Sequence, residues 1–201
     1  MTRLTRTFFA RRSTIVGPAL LGRVLVRSLP GGEVLRARIV ETEAYDEHDP
    51  ASHSFRGPTP RNAMMFGPAG HLYVYFTYGM HHCMNVVTGV DGVGSAVLLR
   101  AAEPLEGIAE MERARGTDRI RDLCRGPARL AQAVAVDRSF DGIDLVDGDQ
   151  MWFERGTPVD RARIRTGPRI GIRVGVDRPW RSFVDEPWVS ASRSTPAASR
   201  P

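Results

Sequence analysis

The chain has 201 residues, of which 42% are hydrophobic and 25% are charged, values that are ordinary for one globular domain. No segment approaches the roughly 18 uninterrupted apolar residues of a membrane-spanning helix, so we expect a soluble protein without a membrane partner. The 28 strongly basic side chains are all arginine, which excludes mechanisms that need a lysine amine, including Schiff-base formation.

Cysteine content and charge distribution further limit the class of protein that the sequence can encode. The two cysteines, Cys83 and Cys124, lack CxxC spacing, so we expect no disulfide framework and a cytoplasmic location. The net charge of +5 is uneven: residues 1–36 and 161–201 each carry +6, whereas residues 37–160 carry −7. Two basic flanks that meet in space would favour a polyanion such as nucleic acid, and a scattered surface charge is the alternative.

The N-terminal segment is predicted to carry no stable element. Residues 1–13 are polar and basic, and we expect a flexible arm there. The apolar run after Arg11-Arg12 ends at Arg23, after roughly ten residues, and no small-residue cleavage site follows. We therefore interpret this segment as part of the mature protein and not as an export signal.

Two antiparallel strands follow in the prediction. The sequence alternates over residues 21–28 as a strand does, a Pro-Gly-Gly turn follows, and a return strand covers residues 33–45. Strict alternation places Glu41 and Glu43 on the same face as the apolar residues earlier in that strand. Carboxylates on a core-facing row are not typical of a solvated surface.

A long loop and further strands come next. Residues 46–70 are rich in Pro, Gly and Asp, and a loop of this length is usually functional or disordered. A hairpin is predicted from strands 71–77 and 80–88, and a third strand covers residues 95–101. Alternation in that third strand places Arg100 on the side of Leu98.

The second half is predicted to be helical first and then to consist of short strands. Helices are expected over residues 104–116 and 118–124 and from residue 126 onward, because apolar residues recur there at helical spacing. The short strands expected after residue 140 are 141–145, 151–154, 169–176 and 187–190. A flexible tail is expected over residues 191–201. The chain as a whole, residues 1–201, is predicted to be one α+β domain with a mainly antiparallel curved sheet, a protruding β-hairpin and flanking helices.

Aromatic and imidazole side chains cluster in one fifth of the chain. All four tyrosines and all five histidines lie between Tyr45 and His82. Three interpretations are open: a metal site, which lacks any HExxH or paired CxxC spacing; a purely structural role in the sheet; or a pocket that stacks a planar base. In the third interpretation Tyr45, Tyr75 and His53 supply the ring faces, and Tyr78 at the hairpin tip acts as a wedge that unstacks a duplex.

Five segments in this order resemble the alkyladenine (3-methyladenine, methylpurine) DNA glycosylases: RIVETEAY, HSFRGPTPRN, LYVYFTYGMHHCMN, VLLRAAEPLEG and CRGPARLAQA. The resemblance covers nearly the whole chain, from about residue 20 to residue 190. It implies an enzyme of base excision repair that flips a damaged purine out of duplex DNA and hydrolyses its N-glycosidic bond, leaving an abasic site.

The resemblance also implies roles for individual residues. Glu43 looks like the general base that activates water, with Glu41 as the alternative, and Arg100 resembles the arginine that helps to place the water. Tyr45 is expected on one side of the flipped base, with His53 and Tyr75 on the other. The remaining expected contacts are Asn85 against the exocyclic amine of normal guanine, Tyr78 and Met80 as intercalating residues, and Arg56, Arg61, Arg129 and Arg138 on the DNA backbone.

These roles need no metal and no cofactor, and the expected partner is double-stranded DNA that contains a damaged purine, bound by a monomer. The absence of lysine predicts a monofunctional enzyme, because strand-nicking glycosylases generally form a Schiff base with an amine. Two alternatives remain: a nucleic-acid-binding module without catalysis, and a histidine-based metallohydrolase.

Overall fold

A computed structural model describes residues 2–77 and 81–190 of the chain. The strands are β1 Val24–Ser28, β2 Val34–Tyr45, β3 Leu72–Thr77, β4 His81–Val87, β5 Ala96–Glu106, β6 Met151–Glu154, β7 Ile164–Gly167 and β8 Arg181–Val184. The α-helices are α1 Arg6–Phe9, α2 Ser13–Leu20, α3 Ile108–Arg115, α4 Ile120–Leu123 and α5 Pro127–Ala133. Short 3₁₀ turns cover Ala63–Phe66, Arg138–Phe140 and Arg161–Arg163.

All the strands join one antiparallel sheet with the order β3-β4-β5-β2-β1-β6. Strand β8 pairs with the second half of β2 and also with β7, so the sheet forks at β2. The sheet is curled and the helices flank it, which confirms the predicted α+β fold with a mainly antiparallel curved sheet. Strands β3 and β4 form the predicted hairpin up to the pair Thr77↔His81, and its tip, residues 78–80, lies outside the described residues.

The main hydrophobic core lies between the sheet and the helices. Its members are buried apolar side chains, and five that are completely buried are Phe9, Leu20, Leu99, Leu130 and Phe153. Helix α5 begins at Pro127, where a missing backbone N–H costs nothing, because the first turn of a helix has no partner for it. The core occupies one face of the sheet, which leaves the other face of its central strands free to form a cavity.

The N-terminal segment differs from the predicted flexible arm, because residues 2–13 are packed. Leu4 and Phe9 are buried in the core, and the Leu4 N–H donates to the carbonyl of Phe153 at 2.9 Å. Arg6 pairs with both Asp144 and Asp147 at 2.6 Å. The local sequence of residues 2–13 does not indicate these long-range partners, and its polar composition predicted a flexible segment.

Helix α2 was not predicted either. It forms because Val16 and Leu20, four residues apart, both enter the core on one helical face. Its last turn is tight, since the Leu21 N–H bonds to the carbonyl of Pro18. The carbonyl of Gly17 is thereby left to accept the Thr42 hydroxyl at 2.9 Å, which fixes the helix against β2.

Several predicted elements in the second half are wrong. The helix expected from residue 104 begins at Ile108, because β5 continues to Glu106 and remains paired with β2 there. The segments 141–145, 169–176 and 187–190 form turns and loops instead of strands, whereas β6 lies where a strand was expected. The 169–176 segment bends at Gly171 and Gly175, whose φ angles of 82° and 62° interrupt an extended conformation.

Irregular pairing between β2 and β5 overturns the simple alternation predicted for the two carboxylates. The register shifts between Ile39 and Glu41 and again between Glu41 and Thr42. Ile39 belongs to the core, whereas Glu43 is aligned with Leu98, which lines a cavity on the opposite face of the sheet. The carboxylates are therefore buried as predicted, but on the face away from the apolar half of β2.

Candidate active site

A cavity of about 520 Å³ lies on the face of the sheet opposite the core. This volume falls within the range of roughly 300–1,000 Å³ that is typical of small-molecule sites. Five of the residues singled out in the sequence line it together: Tyr45, His53, Tyr75, Asn85 and Arg100. Glu43 is completely buried directly behind this wall.

Register across the central strands explains why these residues meet. Tyr73 pairs with Asn85, Asn85 with Leu98, and Leu98 with Glu43, so one row of side chains crosses β3, β4, β5 and β2 on the same face. The row extends to Arg181 on β8 through its pairing with Glu43. Because β2 is paired on both sides at this point, the backbone that carries Glu43 is held by two neighbouring strands.

Glu43 is held by three polar contacts. Its Oε1 accepts the Ile170 N–H at 2.7 Å and lies 3.2 Å from Nη1 of Arg100. Its Oε2 accepts the Tyr45 hydroxyl at 2.8 Å. Ile170, Arg100 and Tyr45 all line the cavity, so the carboxylate is one side chain away from the space where a ligand would sit.

Glu41 is equally buried but its oxygens face structural partners. Oε1 accepts from Arg181 Nε at 2.6 Å and from Arg100 Nε at 3.2 Å, and Oε2 accepts the Ser190 N–H at 2.8 Å. The Ser190 hydroxyl in turn accepts from Arg100 Nη2 at 3.3 Å. Glu41 thus fixes Arg100, β8 and the last described residue in place.

The ionisable groups around Glu43 keep their protons. Burial tends to lower the pKa of Arg100, but the nearby Glu43 and Glu41 outweigh this effect and raise it, so the guanidinium remains a cation. Burial, followed by the adjacent Glu43, raises the pKa of the Tyr45 phenol well above its usual value. Tyr45 therefore remains a hydrogen-bond donor to Glu43 at any physiological pH.

Three aromatic side chains that line the cavity, His53, Tyr73 and Tyr75, lie next to one another. The rings of His53 and Tyr75 are 4.6 Å apart and nearly perpendicular, at 81°, whereas Tyr73 and Tyr75 are tilted by 32°. His53 Nδ1 lies 3.0 Å from the Tyr73 hydroxyl, and the Tyr73 carbonyl accepts from Asn85 Nδ2 at 3.2 Å. Burial raises the pKa of Tyr73 to about 12. Desolvation and then Arg61 lower the pKa of His53, so its imidazole is neutral at pH 7.

The long loop over residues 46–70 is ordered by its own polar side chains. Asn62 donates to the carbonyls of His53 and Gly57 at 2.7 and 3.1 Å and accepts from the Thr59 hydroxyl at 2.9 Å. The Ser54 hydroxyl donates to the carbonyl of Gly94 at 2.9 Å. These bonds hold the stretch that carries His53 against the body of the protein, which positions the imidazole at the mouth of the cavity.

The predicted DNA-backbone arginines lie outside the cavity. Arg56 and Arg61 are exposed and line a second, neighbouring cavity of about 430 Å³ that shares His53 with the first. Arg129 pairs with an aspartate of α4, and Arg138 donates to the carbonyl of Val74. The predicted intercalating residues Tyr78 and Met80 lie outside the described residues.

Some arginines of the basic flanks pair with acidic residues from the middle of the chain. Arginines of the N-terminal flank pair with residues such as Asp144 and Glu106, and Arg169 of the C-terminal flank pairs with Asp49. These paired arginines are neutralised locally, so only the remaining arginines of the flanks could contribute to a cationic face.

Some residues at the site were missed in the sequence. The stretch 170–174 lines the cavity and supplies the backbone N–H that holds Glu43, although an extended strand was predicted there. Gly171 in this stretch and Gly175 directly after it, which both adopt positive φ, were the available signal for a loop. Tyr73 was noted in the aromatic cluster, but its role as a link between His53 and Asn85 was not foreseen.

Two further observations concern the described residues. Among residues 2–77 and 81–190, no three His, Cys, Asp or Glu side chains come close enough together to hold a metal ion. In the same part of the chain, no helix has the length and apolar character needed to cross a membrane.

Comparison with known proteins places the chain in a family. The model of the methylpurine-DNA glycosylase family matches residues 7–187. A protein of Streptomyces avermitilis with the provisional name 3-methyladenine DNA glycosylase is 52% identical over 99% of this chain and 96% of its own length. Proteins of Burkholderia lata and Carboxydothermus hydrogenoformans with the same provisional name are 52% and 49% identical, over 89% and 90% of this chain and 86% and 94% of their own lengths. These matches confirm the resemblance drawn from the sequence motifs and the expected enzyme class, a hydrolase of N-glycosyl bonds: the chain belongs to the methylpurine-DNA glycosylase family.

Proposed function

We propose that this protein is a monofunctional DNA glycosylase that flips alkylated or deaminated purines out of duplex DNA and leaves an abasic site. The observation that carries the proposal is the cavity lined by Tyr45, His53 and Tyr75, with the Glu43–Arg100 pair directly at its wall. The candidate substrates are 3-methyladenine, 7-methylguanine, hypoxanthine and ethenoadenine. The first of these is the base in the names of the relatives.

Glu43 acts as the general base in this proposal. A water oxygen attacks C1′ of the sugar, the bond from C1′ to the purine nitrogen breaks with its electron pair leaving on the base, and a water proton passes to the carboxylate. Oε2 accepts only from Tyr45 among the described contacts and therefore retains a lone pair for the water. Arg100, a permanent cation in contact with Glu43, orients this water from the cavity side.

The aromatic rings of the cavity recognise the flipped base by stacking, with few hydrogen bonds. Stacking on an aromatic side chain is worth about 1–3 kcal/mol per base, and the electron-rich ring faces favour purines that already carry a positive charge. Since His53 and Tyr75 are nearly perpendicular, a base that stacks on one of them meets the edge of the other. Tyr45 stacks from the opposite side, and Asn85 crowds the exocyclic amine of normal guanine.

The DNA is bound as a duplex by a monomer in this proposal. Tyr78 and Met80 fill the gap that the flipped base leaves, and Arg56, Arg61, Arg129 and Arg138 contact phosphates. The chain has no lysine, so no side-chain amine is present to form the Schiff base that strand nicking generally needs.

The test uses labelled duplexes that each contain one of the four lesions, incubated with the protein in EDTA and then treated with hot alkali or left untreated. Strand breaks that appear only after alkali are the expected result, since alkali cleaves at abasic sites, and the fastest-cleaved lesion names the substrate. Breaks without alkali would contradict monofunctional action. Tight binding without alkali-labile sites on any lesion would instead favour a non-catalytic binding module.

A further inference from the structure

A buried ion pair lies next to the cavity but does not line it. Asp49 and Arg169 have completely buried side chains and form a two-pronged contact, in which Nη2 to Oδ1 measures 2.9 Å. Arg169 also donates to the carbonyls of Ala44 and Gly175 at 3.0 and 3.2 Å. The pair therefore ties the long loop after β2 to the 169–175 segment. A buried charge is costly without its partner, so the two residues act as a unit.

The guanidinium of Arg169 lies over the ring of Tyr45, with its carbon 4.6 Å from the ring centroid. The same guanidinium also lies over the indole of Trp180, with its carbon 5.3 Å from the ring centroid. Tyr45 lines the cavity, whereas Arg169 does not. Arg169 thus covers the face of Tyr45 that turns away from the cavity, and leaves the other face for a ligand.

A cation in this position affects what Tyr45 can bind. A base stacked on the open face at about 3.5 Å would lie about 8 Å from the guanidinium. An uncompensated charge at that distance, with an effective dielectric constant of about 20, changes the affinity for a unit cation roughly 30-fold. Asp49 cancels this effect because its carboxylate contacts the same guanidinium directly.

A second arginine near Asp49 increases the positive charge that this carboxylate has to balance. Nη1 of Arg178 lies 3.8 Å from Oδ1 of Asp49, and its guanidinium carbon lies over the Trp180 ring, 4.6 Å from the ring centroid. Removal of the Asp49 charge would therefore leave two cations behind Tyr45. On the cavity side, the Arg100 charge is balanced separately by Glu41 and Glu43.

We propose that Asp49 determines specificity for positively charged purines by neutralising Arg169 behind the stacking face of Tyr45. Arg169 is a positioning residue, because it holds Tyr45 and the 169–175 segment in place. The inference rests on the proposed glycosylase function and adds a charge-based selection to it. Neutral purines do not need the compensation, since they carry no charge for Arg169 to repel.

The experiment measures single-turnover excision of 7-methylguanine, which is cationic, and hypoxanthine, which is neutral, from the same duplex sequence. Asp49→Asn should lower the 7-methylguanine to hypoxanthine rate ratio about 10- to 30-fold. Arg169→Gln removes one of the two cations beside Asp49 and should shift the ratio in the opposite direction. The double variant should return the ratio to within about 3-fold of wild type even if both rates fall, because it restores the wild-type net charge behind Tyr45 without restoring the position of Tyr45.

Circular dichroism checks the fold of each variant, and Arg169→Gln with the double variant still tests the inference if Asp49→Asn does not fold. An unchanged ratio in the folded single variants, with wild type active, would overturn the role of Asp49 and leave the proposed function intact. A wild type that excises neither lesion would overturn the proposed function itself, and this inference with it.

Discussion

Replacement of Glu43 by glutamine removes the carboxylate charge but keeps the size of the side chain. The glutamine oxygen can still accept the Ile170 N–H, now 2.7 Å from Oε1. The new NH₂ group would face the Tyr45 hydroxyl, which can rotate its proton and accept instead of donating. The polar contacts of this buried position are thus largely conserved, and we expect the variant to fold.

The expected losses of stability and of excision rate distinguish a chemical role of Glu43 from a structural one. Loss of charge at the contacts with Tyr45 and Arg100 should lower the free energy of unfolding by about 1–3 kcal/mol, since Arg100 retains Glu41 as a partner. Loss of a general base costs roughly 10²- to 10⁴-fold in rate, or about 3–5.5 kcal/mol in the barrier. Excision should therefore fall at least about 100-fold, while binding to the lesion duplex changes only a few-fold.

Single-turnover base release and fluorescence anisotropy with a duplex that carries an abasic analogue measure the two quantities separately. Glu41→Gln is the matched control, because Glu41 is equally buried and also contacts Arg100 but holds β8 and Ser190. That control should lower the melting temperature and leave excision within about 10-fold of wild type. Excision by Glu43→Gln near the wild-type rate, or an equal loss in Glu41→Gln, would refute the assignment of the general base to Glu43.

Three further predictions address recognition and stability. Asn85→Ser should raise the release of undamaged guanine from DNA roughly 10-fold, because it removes a bulky contact from the cavity wall, and unchanged guanine release in a chromatographic assay would contradict this role. Tyr78→Ser should weaken capture of a lesion within a duplex roughly 10-fold but spare binding to an abasic analogue, and equal losses on both ligands would count against a wedge. Burial tends to raise the pKa of Asp144, but hydrogen bonds, first from Arg6, lower it from its usual 3.8 to about 2. A lowered folded-state pKa stabilises the protein above the unfolded-state value, so Asp144→Asn should cost roughly 1 kcal/mol at pH 7, and the difference should vanish as the pH falls from about 4 to 2 in unfolding measurements.

Local patterns in the sequence were sufficient for the central sheet. Strand β2 alternates over its first half and ends in two carboxylates, and β3 and β4 combine aromatic and β-branched residues around a short turn, so the hairpin and its neighbours were predicted close to their observed bounds. The grouping of the cavity residues was predicted only from the resemblance of the motifs to a known family. The spacing of Tyr45, His53 and Arg100 in the sequence does not by itself indicate that they lie close together.

Features that depend on distant partners were not predictable. The shift in register around Glu41 arises from pairing with β5, and no local pattern in β2 signals it. Residues 2–13 are ordered by Asp144 and by core side chains far along the chain, which outweigh their polar composition. The 169–176 segment has the alternation of a strand, but the buried ion pair of Arg169 and two glycines with positive φ make it a loop.

The double contact of Ser190 sets a limit on how far the C-terminus can be shortened. Its N–H donates to Glu41 and its hydroxyl accepts from Arg100, so this serine helps to hold the arginine that lines the cavity. A truncation that removes Ser190 would leave Arg100 with one fewer acceptor and a buried oxygen of Glu41 without its donor, so loss of this one residue would disturb the wall of the cavity.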